Sequence, residues 1–143
     1  MEIRTTETLA QALTSAIQTG EVEALQQLLD GDPLIPKARI LDLKGVSRSL
    51  LHIAVDWPGN FPRVSRTIRL LIERGADPES PMVGGNAPER PLHWAASCND
   101  VDALDALLDG GADIEGPGAI FTNGTAMSDA VIFRTVERGT PVA

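Results

Sequence analysis

The side chains able to do chemistry are few: His52, His93, Cys98 and a scatter of carboxylates. A metal centre would need both imidazoles on one ion with further ligands. The two lie 41 residues apart (93 minus 52), and no metal-ligand spacing accompanies them. Asp56 beside Trp57, or His93 with Asp129, can be drawn as an acid and a base, but no nucleophile elbow or phosphate loop supports either. Cys98 is the single cysteine, so it forms no internal disulfide and fits a reducing compartment. With no cation beside it in sequence, it reads as a small structural residue ending a helix. Gly84-Gly85-Asn86 lacks the following helix start with Lys and Ser or Thr that a phosphate cradle needs, and has the composition of a hairpin tip. No catalytic residue, metal or cofactor is therefore expected, and the chain does not read as an enzyme.

The elements that hold these side chains centre on residues 90–113. Pro91 sits at a first helical turn, where it loses no needed donor, and Leu92-His93-Trp94-Ala95-Ala96 follows. After Asn99, Val101, Leu104, Leu107 and Leu108 recur at helical spacing. Gly111 stands where a left-handed cap favours glycine, ahead of Ala112-Asp113. This is a pair of short helices that cannot bury its own apolar face, so neighbouring copies are expected. Ser49-Leu50-Leu51-His52-Ile53-Ala54 aligns with Arg90-Pro91-Leu92-His93-Trp94-Ala95, and residues 71–77 align with 107–113.

The unit 90–113 matches nearly in full the pattern T-P-L-H-x-A followed by V-x-x-L-L-x-x-G-A-D, and the chain resembles a small bacterial-type ankyrin-repeat domain. The resemblance spans roughly residues 5–138. It implies an all-α fold: an ankyrin-repeat solenoid of about three helix pairs plus a shortened C-terminal capping repeat, with hairpin-like loops between repeats. It also gives His52 and His93 a structural role, each imidazole bonding backbone between neighbouring repeats. Arg90 replaces the family's threonine, which puts the usual bond to His93 in doubt.

In chain order, one domain over 1–143 is expected, with repeats at about 5–33, 49–77, 90–113 and 124–139. In the first, Leu9, Leu13, Ala16 and Ile17 share a helix face, Gly20 breaks the helix, and Val22, Leu25, Leu28 and Leu29 form the next, with polar groups on the outer side suited to an N-terminal cap. The connection that follows holds one finger strand over 38–43. In the second unit Ala54 to Ile72 is 18 positions where the equivalent Ala95 to Leu108 is 13, an insertion of five. Its two prolines and glycine forbid helix, and it holds Trp57 and Phe61. Either those rings fold back over a local gap or they stand out as partner anchors. In the fourth unit, Ala130 to Gly139 is too short for a helix pair and reads as one covering helix.

The net charge of −8 excludes nucleic acid as an expected partner and favours a basic protein, although Asp100, Asp102, Asp105 and Asp109 also read as a solvated helix face. No run reaches the roughly 20 apolar residues of a membrane span, and no basic-then-apolar leader opens the chain, so no membrane association and a cytoplasmic location are expected. What the resemblance implies is a protein-protein interaction module, binding through loop tips and the concave inner-helix surface. That surface would draw on Arg39 and Leu41 in the first finger, Trp57 and Phe61 in the insertion, Asn86, Glu89 and Arg90 around the second finger, Trp94, and Phe121 in the third connection. Two other forms stay open: an inhibitor or immunity-type protein that neutralises a basic enzyme, and a self-assembling module that forms a homodimer through its C-terminal repeat.

Overall fold

The computed structural model describes residues 1–118 and 125–127. Strand β1 (Glu2–Arg4) leads into helices α1 (Thr8–Thr19) and α2 (Val22–Asp30). Strands β2 (Arg39–Leu41) and β3 (Ser47–Ser49) precede α3 (Leu50–Ala54) and α4 (Val64–Glu73), and α5 (Pro91–Ser97) and α6 (Val101–Asp109) follow. Of the shortened unit expected over 124–139 only residues 125–127 are described, and Asp129 and Phe121 lie outside the described residues.

Local chemistry sets each helix. α1 buries Ala10, Leu13, Ala16 and Ile17 at helical spacing and ends at Gly20, whose left-handed backbone (φ 72) closes its last turn. α3 has only five residues, all buried, so it leans on its caps: the Ser49 hydroxyl accepts from the His52 backbone N–H, and the Ser49 N–H donates to His52 Nδ1. Pro91 occupies the first turn of α5.

The three pairs stack in two layers. α1 packs on α3 and α3 on α5, while α2 packs on α4 and α4 on α6. Ala54 and Ala95 are fully buried on the inner helices, where small side chains let backbones approach closely. Leu13, Leu25, Leu51, Leu71 and Leu107 fill the space between layers.

The expected all-α architecture needs one correction, a small sheet in the order β1-β2-β3. The β2–β3 hairpin is the finger expected over 38–43, with Ile40 opposite Arg48. β1 was not anticipated; it pairs parallel to β2 with Ile3 beside Ile40, and both isoleucines are buried. A lone isoleucine between Glu2 and Arg4 carries no strand periodicity, and burial against Ile40 is what holds it. Val83 bridges Ser47 and so ties the second finger to the first.

The insertion forms residues 55–63, between α3 and α4, and acts as a strap across its neighbours. Arg63 Nε donates to the Gly20 carbonyl (2.6 Å), and the Asn60 N–H donates to Asp100 Oδ2 (2.8 Å). Asn60 Nδ2 also donates to the Cys98 carbonyl (3.2 Å). Asp100 does not belong to the solvated acidic face: it is 1% exposed, because Oδ1 caps α6 at the Ala103 N–H (3.2 Å) while Oδ2 anchors the strap. Asp102, Asp105 and Asp109 do face solvent. Asp100→Ala removes both acceptors, and urea denaturation should show a loss of about 2–3 kcal/mol. A loss under about 0.5 kcal/mol, ordinary for a surface substitution, would contradict this anchoring.

Candidate partner-binding groove

His52 is the pivot of the inner-helix face. Its ring is fully buried; Nδ1 accepts from the Ser49 N–H (3.2 Å), and Nε2 faces the Glu89 carbonyl (2.9 Å). A backbone N–H only donates and a carbonyl only accepts, so the proton sits on Nε2 and the ring is neutral. Burial pushes its pKa down to about 3, against a smaller upward effect of the Glu89 carbonyl. His93 repeats the arrangement, with Nδ1 accepting from the Arg90 N–H (3.0 Å). The bond that Arg90 put in doubt is thus made by backbone, with no hydroxyl needed. Both imidazoles pin backbone rather than face a ligand, and among the described residues no cluster of three His, Cys, Asp or Glu could hold a metal ion.

Trp94 projects from α5 and meets the His52 ring edge-on, with centroids 4.8 Å apart. The Arg48 guanidinium lies 6.0 Å from the Trp94 ring centre. Arg48 is itself held by Asp56 at 3.0 Å and Asp42 at 4.0 Å. The Asp42 carboxyl is kept below its usual range, chiefly by the Val46 N–H it accepts, while the Lys44 N–H and Arg48 add smaller effects.

Between the strap and α5 opens a cleft of about 250 Å³, walled by Val55, Trp57, Trp94 and Cys98, with Asp56 and Glu89 in its lining. A second hollow of about 380 Å³ meets it at Asp56 and runs along α1, lined by Gln11, Thr14, Gln18, Arg48 and Ile53. The Cys98 thiol rests 3.6 Å from the Val55 carbonyl, and burial, reinforced by Asp100 and Asp56, raises its pKa to about 11. It stays protonated and serves as wall, not nucleophile.

The expected contact residues are distributed unevenly. Trp57 stands out, 69% exposed, so the strap does not fold this ring inward; Phe61 is half-buried. Trp57, Glu89 and Trp94 come together in the cleft. Glu89 needs correction as an exposed contact: it is 6% exposed, because its carbonyl receives both His52 Nε2 and the Met82 N–H at the foot of the second finger. Arg39 and Leu41 are half-buried in β2, below the tip. Arg39 is engaged by Ser47, Ser80 and the Pro81 carbonyl, tying the two fingers, and the true tip is Leu43, 89% exposed. Asn86 is exposed on the second finger, and Arg90 is paired with Glu79 (3.2 Å) and donates to the Pro117 carbonyl.

Arg48 is the groove residue that sequence reasoning missed. The aligned units carried a signal for it, since Arg48 immediately precedes Ser49 just as Glu89 precedes Arg90. Both stand where a finger enters an inner helix.

Residues 88–116, covering the end of the second finger, α5 and α6, match the family model of the ankyrin repeat. This match spans the best-formed unit of the chain, which is similar to an ankyrin repeat. Repeats of this class are typically non-catalytic and mediate binding to other proteins. No curated protein matches the chain. No helix among the described residues is long and apolar enough to cross a membrane.

Proposed function

We propose that the chain is a single ankyrin-repeat array, a short solenoid, that binds another protein along its inner-helix groove, with Trp57 and Trp94 as the anchors. The exposure of Trp57 carries this reading. A large ring held 69% in solvent, on a strap fastened to Gly20, Cys98 and Asp100, offers apolar area on backbone that is already ordered. Such preorganised tryptophans are the side chains on which binding energy concentrates. The net charge of −8 favours a basic partner surface, and an inhibitor that neutralises a basic enzyme is the sharpest form of the reading.

Capture from cell extract by the wild-type chain, Trp57→Ala and Arg69→Ala distinguishes this face from the outer one, where Arg69 of α4 is exposed. Trp57→Ala should keep its thermal midpoint and lose affinity by more than about tenfold, whereas Arg69→Ala should retain the partner. A partner that Trp57→Ala holds as tightly as the wild type would sink the proposed groove.

A further inference from the structure

Resting on that reading, we propose that the cleft between Trp57 and Trp94 receives one cationic side chain of the partner, an arginine or a lysine, against its aromatic walls and beside Asp56. The chain has two tryptophans and no tyrosine, and both tryptophans wall this one cleft. Indole faces carry negative quadrupole density and attract ammonium and guanidinium groups. The fold already shows the preference, with the Arg48 guanidinium set over Trp94.

Charge points the same way. Asp56 lines the cleft, and Asp100 is buried behind it, beside the strap. The cation at hand, Arg48, is shared between Asp42 and Asp56, so two carboxylates flank one guanidinium. Beyond burial, which is the chief cause, Asp100 and Asp56 also push the Cys98 thiol upward, as carboxylates beside this wall do. An acidic side chain would be repelled here. A purely apolar one would cover the rings but add no counter-charge. A long basic side chain satisfies both, laying its methylene stem between Trp57 and Trp94 with its charge toward Asp56. The volume of about 250 Å³ suits a single side chain rather than a helix.

The two indole N–H signals of the folded chain report on this cleft directly. Titration with the peptide amide Gly-Arg-Gly should shift both signals saturably, and Gly-Lys-Gly should do the same. The Gly-citrulline-Gly peptide, nearly the same shape without the charge, should bind at least about fivefold more weakly. Asp56→Asn should weaken the arginine peptide by about three- to tenfold, as should Trp57→Leu, which keeps bulk but removes the ring. Far-ultraviolet dichroism confirms that each variant is folded. Equal binding of arginine and citrulline peptides, or no indole response to the arginine peptide, overturns the proposal. In that event, partner capture that still requires Trp57 leaves the groove reading standing. Arginine binding with capture indifferent to Trp57 has the reverse meaning.

Discussion

Replacing His52 with alanine is expected to cost about 3–4 kcal/mol in urea denaturation, a large share of the stability of a chain this size. The ring is fully buried, and its removal strips the Ser49 N–H of its acceptor inside the fold. It also breaks the bond from Nε2 to the Glu89 carbonyl, one of the ties between the second and third helix pairs, and empties the space against Trp94. A surface histidine would cost almost nothing, so the measurement separates a structural pin from a free imidazole.

The same residue predicts a pH dependence. Folded, His52 stays neutral down to about pH 3; unfolded, it takes a proton near its ordinary value of 6.5. Above about pH 6.5 neither state binds this proton, and stability is at its full value. As pH falls below 6.5 the unfolded chain gains a proton that the folded chain refuses, so stability is lost until about pH 3, where the folded state also titrates. Between about pH 7.5 and 5, above the ordinary carboxylate range, this residue alone should remove about 2 kcal/mol. A His52→Gln variant has no such proton, and its stability should change correspondingly less over that window. Identical losses in the two proteins would show that His52 is not held neutral by the fold.

Gly20→Ala is the second large effect, expected at about 3 kcal/mol against about 1 kcal/mol for Gly45→Ala. Both glycines have left-handed backbone, φ 72 and 82, so both variants carry the strain of a side chain in that region. Around Gly45 nothing lies within 4 Å of an added methyl, and the conformational cost is all there is. At Gly20 the methyl would press on the Pro62 carbonyl, with its carbon at 2.9 Å, and push away the strap that Arg63 holds to the Gly20 oxygen. Paired urea unfolding of the two variants measures the difference. Equal losses would mean that the strap is not seated on the first helix pair.

These sites differ in how far they can be read from residue types. Gly20 is visible as a helix stop because a left-handed cap is a local matter, but its contact with Pro62 joins residues 42 apart (62 minus 20) and leaves no local mark. Asp100 shares its spacing and charge with Asp102, Asp105 and Asp109, so periodicity groups it with the wet face; one position at the start of α6 makes it a cap, and the strap then buries it. β1 leaves no local mark, since three residues with one apolar centre form a strand only when β2 arrives beside them. Glu89 is polar beside a finger, a pattern that suggests exposure, yet its carbonyl is the acceptor for His52.

By itself the sequence determined the helix pairs, their breaks and the equivalence of His52 and His93, because caps, prolines, glycines and helical spacing act within a few residues of chain. Only the tertiary structure decided that Trp57 faces outward, that Phe61 is half-buried, and that Arg48, Asp56 and Trp94 converge on one cleft. Those outcomes rest on bonds such as Asn60 to Asp100 and Arg63 to Gly20, which span some forty residues and exist only once the pairs have stacked.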